Sequence, residues 1–185
     1  MKPKPRNAAK TKAAILAAAQ KAFAELGYSQ AGIREIAAIA GVSSTLLLRY
    51  YGSKAALFEA ALIEAMKMDG LLAGDDARSG FGETLTRLFL DPGVDIKPPS
   101  IIALSTGDAE ARDIATRVVE QHVVVPLGKW LGPPDGYARA LGIVMMAMGF
   151  VLFTRQLPLL PMRKSVEAKL GKWFAKTVQA MVDKP

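Results

Sequence analysis

Residues 33–54 read IREIAAIAGVSSTLLLRYYGSK, and this stretch decides the fold of the N-terminal part of the chain. Ile33, Ile36, Ala37 and Ala40 recur at the spacing of one helical face, which predicts a short amphipathic helix. Gly41 follows directly and tolerates the left-handed backbone that a sharp turn between two helices requires. The pattern therefore predicts a helix, a tight turn and a second helix.

The second helix is expected to begin directly after the turn. Ser43 suits its N-cap, because a serine hydroxyl accepts a backbone N–H of the first helical turn. Leu47 and Tyr51 are four residues apart and are expected to face the core. Three consecutive leucines (46–48) sweep about 200° around a helix, so at least one of them must point outward. On a helix that reads DNA, an outward Leu48 could touch a thymine methyl group or a sugar.

Several polar side chains of this segment are expected to point away from the core. Ser44, Thr45 and Arg49 can donate hydrogen bonds to base edges or to phosphates. Lys54 lies at the start of the next helix, where free backbone N–H groups and the helix dipole favour an anion. A phosphate bound there would fix the docking register without reading sequence.

The net positive charge is concentrated in the same part of the chain. The chain carries a formal charge of +7, and residues 1–54 hold nine Lys/Arg against two Glu. Residues 55–185 are balanced, with 15 basic and 15 acidic residues. A concentrated basic region is typical of a phosphate-binding surface. A tail that serves only solubility is the alternative, because five of the nine basic residues precede residue 13.

The longer stretch IREIAAIAGVSSTLLLRYYGSKAALFEAAL (residues 33–62) resembles the DNA-binding domain of the TetR/AcrR family of transcriptional regulators. That family has a T-hydrophobic-R/K-D/E-I-A-x-x-A-G-V-S helix, a short recognition helix that ends in a Y/H-F pair, and S-K-x-x-L at the start of helix 4. The corresponding segments here are IREIAAIAGVS, LRYYGSK and LF, within a similarity over about residues 10–62. Two positions differ. Gly32 replaces a capping threonine, and Leu48 replaces an aromatic residue that contacts phosphate.

The resemblance adds Arg34 and Tyr50 to the candidate DNA contacts and supports Lys54. The predicted DNA-binding residues are Arg34, Ser43, Ser44, Thr45, Leu48, Arg49, Tyr50 and Lys54. The resemblance further implies a homodimer that binds a palindromic operator in double-stranded DNA. A small apolar or amphipathic effector would release the protein from DNA, and repression is the family's commoner mode.

The whole chain is predicted to be all-α, with about nine helices, because no stretch alternates convincingly with period two. Helix 4 is expected to run from a Ser53 cap to about Leu72, and Pro126 is expected to kink or break a later helix. We expect a three-helix helix-turn-helix DNA-binding domain with a basic N-terminal arm over residues 1–54. A helical ligand-binding and dimerisation bundle is expected over residues 55–185.

Methionine and phenylalanine crowd one helix of the C-terminal part, between about residues 135 and 156. Methionine adapts to varied apolar ligands, although packing alone is the plainer interpretation. The predicted effector-contacting residues are Met66, Ile102, His122, Met145, Met148 and Phe153. The same helix and the last one are expected to form a two-fold dimer. The residues of the last helix expected in that contact are Leu170, Trp173, Phe174, Val178 and Met181.

The sequence contains no motif that is typical of an enzyme active site. The chain has no cysteine, one histidine, no glycine-rich phosphate loop and no nucleophile motif, and the adjacent pair Asp75–Asp76 has no catalytic partner in the sequence. We therefore expect no enzyme, no catalytic residues, no metal and no cofactor. The remaining alternatives are a DNA-binding regulator or architectural protein without an effector, and a partner-binding module.

A membrane role is not expected either. The longest uncharged run, Ala140–Thr154, is shorter than the roughly 18–20 residues that span a bilayer. The basic N-terminus is not followed by the apolar stretch and cleavage site of a signal peptide. These features favour a cytoplasmic protein with no membrane partner.

Overall fold

We analysed a computed structural model of the chain, which describes residues 5–68, 70–74, 76–157 and 163–183, with side chains from residue 8 onward. Its α-helices are α1 (Pro5–Gln30), α2 (Ile33–Ile39), α3 (Ser44–Tyr51), α4 (Lys54–Ala65), α5 (Phe81–Leu90), α6 (Pro98–Ser105), α7 (Ala109–Val119), α8 (Val125–Leu131), α9 (Gly136–Val151) and α10 (Lys164–Asp183). Two π-helical segments, Glu120–Val124 and Leu152–Gln156, directly follow α7 and α9.

The predicted all-α class is confirmed. Where a π-helical segment joins or extends α-helices without a break, we count the whole as one stretch. The described residues then form nine helical stretches and contain no strand. Residues 1–4 of the predicted basic arm, Asp75 and residues 158–162 lie outside the described residues.

Two details of the helix boundaries differ from expectation. The predicted extension of helix 4 to Leu72 is wrong, because α4 ends at Ala65 and Met66 leaves helical geometry with φ −99° and ψ 10°. Gly70 follows soon after, and a glycine costs a helix about 1 kcal/mol relative to alanine. Pro126 does not break its helix. The backbone changes to π-helical hydrogen bonding just before it, with Val125 N–H donating to the carbonyl of Glu120.

The chain divides into two compact units by packing. The first contains the described residues up to Met66 together with Ser100–Val118, and the second contains the described residues between 67 and 99 and those from Val119 onward. The helix-turn-helix segment therefore shares its unit with α4 and with most of α6 and α7. This division reflects packing, and the functional boundary between residues 54 and 55 stays a prediction.

The first unit is built around three aromatic rings of α1 and α4. The Phe23 and Phe58 rings meet edge to face with centroids 5.0 Å apart, and the Tyr28 and Phe58 centroids are 5.1 Å apart. Ile15 and Leu47 are fully buried in the same unit. Edge-to-face aromatic contacts contribute about 0.5–1.5 kcal/mol beyond the area they bury, so this cluster fixes α1 against α4.

Gly27 interrupts α1. Its backbone adopts φ 71° and ψ 175°, a conformation open essentially only to glycine. A side chain here would collide with the carbonyl oxygen of Leu104 on α6. This close approach lets the Tyr28 backbone N–H donate to the buried Ser105 hydroxyl oxygen at 3.0 Å. A single glycine thus both interrupts the helix and lets α6 pack closely against it.

The second unit has its own aromatic core, formed where α5, α9 and α10 meet. The Phe150 and Phe174 rings stack with centroids 4.4 Å apart, and Phe89 lies 5.8 Å from Phe174. Gly82 of α5 is buried against the backbone of α10, where a side chain would clash with the Ala175 carbonyl. The small residue allows close helix contact, because side chains normally hold helix axes 8–10 Å apart.

Arg139 ties the ends of three segments of the second unit together. Its guanidinium donates to the carbonyls of Leu131 (3.1 Å), Gly132 (2.6 Å) and Pro134 (3.1 Å), and to that of Met181 on α10 (2.9 Å). The first three carbonyls follow or end α8, where a helix leaves its last carbonyls without intrahelical donors. Arg139 thus supplies the donors that this helix end lacks.

One helical stretch of the second unit, Gly136–Gln156, is long and apolar enough to cross a bilayer by length and composition alone, with a hydropathy of 1.7. The length of the uncharged run Ala140–Thr154 therefore does not by itself exclude a membrane-spanning helix. A single such helix is weak evidence for a membrane, because core helices of folded domains pass the same test. Here Arg139 and Phe150 of this stretch make the intramolecular contacts described above.

Replacement of Gly27 by alanine is expected to destabilise the protein. Backbone strain alone should lower the free energy of unfolding by about 1–3 kcal/mol, and the clash with Leu104 adds to it. Thermal unfolding followed by circular dichroism measures the effect. Gly107→Ala is the matched control, because no atom lies within 4 Å of its added methyl group and its φ is not positive. Equal melting temperatures for the two variants would contradict this role of Gly27.

Replacement of Arg139 by methionine is expected to lower the free energy of unfolding by about 2–3 kcal/mol, since several carbonyls lose a charged donor. Arg139→Lys should restore little of this stability, because an ammonium group cannot reproduce the planar fork of donors of the guanidinium. Urea unfolding provides the measurement. Arg112→Met is the control, because Arg112 is exposed and its guanidinium donates to the Thr106 carbonyl at 3.2 Å. A fully stable Arg139→Lys variant would show that charge alone is sufficient.

Candidate nucleic-acid interface

The helix-turn-helix forms as the sequence predicts. Gly41 adopts φ +67° between α2 and α3, and the Val42 N–H donates to the Ala37 carbonyl at 2.9 Å. The Ser43 hydroxyl oxygen caps α3 by accepting the Leu46 N–H at 3.1 Å. Leu47 is fully buried and anchors α3 to the unit. The orientation of α3 is therefore fixed by one buried side chain and one cap.

The outward face of α3 carries three of the predicted DNA contacts. Thr45, Leu48 and Arg49 are exposed and lie at i, i+3 and i+4, so they share one side of the helix. Ser44 and Tyr50 are half-buried beside them. The structure thus brings these five predicted residues together on or next to one helical face.

Arg34 and Ser43 lie outside that helical face. Arg34 is exposed in the first turn of α2, and Ser43 is exposed immediately before α3. Because the Ser43 oxygen accepts a backbone N–H, its O–H remains the group with which it could donate to DNA.

Lys12 of α1 lies beside the end of α3. This lysine was not among the DNA contacts predicted from the sequence. The Tyr51 hydroxyl donates to the Lys12 carbonyl at 3.3 Å, and the Lys12 ammonium lies 5.8 Å from the centre of the Tyr50 ring. Burial raises the pKa of Tyr51, which keeps this phenol protonated as a donor. The only sequence signal for Lys12 was its place in the basic N-terminal segment. Its position brings positive charge next to α3.

Lys54 begins α4 and contacts the end of α1. Its ammonium donates to the Ser29 carbonyl at 3.3 Å and lies 4.7 Å from the centre of the Tyr28 ring. An ammonium group has three donors, so a phosphate oxygen can still bind Lys54 in this position. The Ser53 hydroxyl oxygen accepts the Ala56 N–H at 3.1 Å, which caps the same helix.

The start of α7 packs against the same end of α1. The Tyr28 hydroxyl donates to Glu110 at 2.5 Å, and the Ser29 hydroxyl donates to Asp108 at 3.2 Å. Burial, together with the Glu110 hydrogen bond, raises the pKa of Tyr28. The Ala111 backbone N–H, which donates to Asp108, lowers the pKa of that carboxyl group. These residues are about 80 positions apart in sequence, so no local pattern could have predicted the contact.

The predicted effector-contacting residues are divided between the two units. Met66 is buried and Ile102 half-buried in the first unit, whereas the other four lie in the second. Of those four, Met145 is 64% exposed and Phe153 is 44% exposed. His122 is exposed as well, and Met148 is half-buried. Their role in ligand binding stays a prediction.

The second unit also has an open groove of about 1150 Å³ between α5 and α10. Its lining includes Arg78, Arg87, Lys172, Lys176, Glu83 and Asp183. None of the six predicted effector-contacting residues lines it. Six of its twelve lining residues are charged, so the groove differs from the apolar pocket that the sequence led us to expect.

Helices α9 and α10 carry exposed apolar side chains. The two helices run antiparallel, since Arg139 near the start of α9 contacts Met181 near the end of α10, and Phe150 near the end of α9 contacts Phe174. Phe174 and Val178 are fully buried in the unit's own core, so they are not available to the predicted dimer contact. Large apolar side chains exposed on the two helices are Tyr137, Met145, Val166, Leu170 and Trp173. The last three recur at i, i+4 and i+7 and form one stripe along α10.

Solved structures of several bacterial regulators share this fold. A TetR-family regulator from Streptomyces coelicolor A3 is 24% identical, with both chains covered completely and a TM-score of 0.57. A transcriptional regulator of the same family from Rhodococcus sp. is 18% identical over 95% of this chain and 100% of its own, with a TM-score of 0.69. NalD, the secondary repressor of the MexAB-OprM multidrug efflux pump in Pseudomonas aeruginosa, is 18% identical over 93% and 96%, with a TM-score of 0.63.

Family models cover most of the chain. No curated protein sequence matches it significantly. The model for bacterial regulatory proteins of the tetR family matches residues 15–61, which contain the helix-turn-helix and the outward face of α3. The model for the tetracyclin repressor-like C-terminal domain matches residues 79–182. With the geometry of α2 and α3, these matches show that the chain belongs to the TetR family of DNA-binding transcriptional regulators.

Proposed function

We propose that this regulator is a cytoplasmic homodimeric repressor, which binds a palindromic operator through α3 and leaves it when a small apolar or amphipathic effector binds. The observation that carries the DNA-binding mode is the outward face of α3, with Thr45, Leu48 and Arg49 exposed around the buried anchor Leu47. Lys12 and the +7 charge of residues 1–54 supply the electrostatic attraction to phosphate.

A two-fold dimer is supported by the exposed apolar stripe on α10. Contiguous exposed apolar surface is unusual in a monomer and commonly marks an interface. The same stripe on a second copy would cover Leu170 and Trp173 in an isologous contact. A dimer that reads a palindrome should hold its two α3 helices about 34–36 Å apart, which is one turn of DNA.

Effector release is the finer part of the proposal. An effector can shift the protein off DNA only by binding one conformation more tightly than another. Repression is supported by fold similarity to NalD, which is itself a repressor. The second candidate is a regulator without an effector, which is favoured by the exposure of Met145 and Phe153. Selection from a library of random duplexes, then a screen for compounds that displace the selected duplex, tests these functions.

Replacement of Lys54 by alanine is expected to weaken binding to all duplexes about equally, because a phosphate contact carries no sequence information. The slope of log K against log salt should flatten by about one unit. Fluorescence anisotropy across a salt series, on the selected duplex and a scrambled one, measures both effects. Lys172→Ala is the control, because it removes the same charge from α10 on the side that lines the groove towards α5. An unchanged slope for Lys54→Ala would remove Lys54 from the interface.

Replacement of Trp173 by glutamate is expected to convert the dimer to a monomer, because a carboxylate would have to be desolvated in the contact. Light scattering after size-exclusion chromatography gives the mass, and operator affinity should fall with it. Lys176→Glu is the matched control on the same helix, because Lys176 lines the groove towards α5. A Trp173→Glu protein that stays dimeric at micromolar concentration would place the interface elsewhere.

A further inference from the structure

Leu48 is a large apolar side chain exposed on the one helix expected to enter DNA. It is 40% exposed, whereas its neighbour Leu47 is fully buried and Leu46 is half-buried. The leucine is not needed for the packing of α3, because Leu47 and the Ser43 cap already anchor that helix. A lone exposed leucine is ordinary on most surfaces. Here its position between Thr45 and Arg49 gives it a specific environment.

The outward side chains of α3 offer only a few kinds of functional group that can contact DNA bases. The helix sequence STLLLRYY contains no Asn or Gln for adenine and no Asp or Glu for cytosine. Tyr51, at its end, already donates to the Lys12 carbonyl. The exposed groups are therefore one hydroxyl, one guanidinium and one branched apolar side chain. Arg49 suits guanine, and the only apolar feature on a base edge in the major groove is the thymine methyl group.

We propose that Leu48 is a specificity-determining residue that reads a thymine methyl group in each operator half-site. The inference rests on the proposed insertion of α3 into the major groove and names what that helix reads there. Leu48 is one turn from Thr45 and adjacent to Arg49, and side chains one turn apart are about 5–6 Å apart at Cβ. That separation is between one and two base-pair steps of 3.4 Å. The thymine thus lies within about two base pairs of the base nearest Thr45.

The test compares thymine with uracil, which differ only by this methyl group. The probe is the duplex selected from a random library, prepared once with thymine and once with deoxyuridine at every thymine position. The wild-type protein should bind the uracil duplex about fourfold more weakly per half-site, which is the contribution expected from one buried methyl group. Leu48→Ala should bind the two duplexes equally. Circular dichroism confirms that this exposed substitution leaves the fold intact.

Two matched variants separate Leu48 from its neighbours. Ile39→Ala removes another exposed apolar side chain of the helix-turn-helix, on α2, and should keep the full preference for thymine. Thr45→Ser removes only the methyl group of Thr45 and should keep it too. Wild-type protein that binds both duplexes equally would overturn the inference while leaving DNA binding intact. If Leu48→Ala still prefers the thymine duplex over the uracil duplex, then Leu48 is not the residue that reads the methyl group. Failure to select any duplex would instead overturn the proposed function and this inference with it.

Discussion

The packing of α1 against α4 through Phe23, Tyr28 and Phe58 is the constraint on which the DNA-facing surface depends. This cluster fixes the two longest helices of the first unit, and α3 inserts Leu47 into the same buried interior. Because α3 has only eight residues, one buried side chain is enough to determine its rotation. Thr45, Leu48 and Arg49 face outward as a consequence of that rotation.

Tyr28 gives the cluster a second role. Its ring packs in the core and also lies under the Lys54 ammonium, while its hydroxyl and backbone N–H reach Glu110 and Ser105. One residue therefore contacts the start of α4 and the helices α6 and α7. Any change in how α6 and α7 pack would alter the environment of Lys54, a predicted phosphate contact. The first unit contains a physical connection between these helices and the predicted DNA-binding face.

Local pattern predicted much of the first unit correctly. The turn at Gly41 and the caps Ser43 and Ser53 all depend on residues close in sequence, so each could be predicted from the local pattern. The failed extension of α4 to Leu72 shows the limit of such signals. An apolar pattern favours a helix but does not say where its packing partners end, because those partners come from elsewhere in the chain.

Contacts between distant residues could not be predicted in this way. Nothing in the sequence near Phe174 or Val178 indicates that they are buried against α5 and α9, so they could not be separated from exposed Leu170 and Trp173 by pattern alone. The same applies to Lys12 beside Tyr50, and to Ser105, whose hydroxyl accepts the Tyr28 N–H. An apolar stripe looks the same in sequence whether its own chain or a second copy covers it.

By itself, the sequence determined the all-α class, the helix-turn-helix and the concentration of positive charge around it. These features follow from helical periodicity, capping residues and charge counts, which are local properties. Only the tertiary structure decided which side chains of α3 and α10 remain exposed and which glycine lets α6 approach α1. The physical reason is that burial and close approach depend on which surfaces meet, and residues about 80 positions apart in the chain form those surfaces.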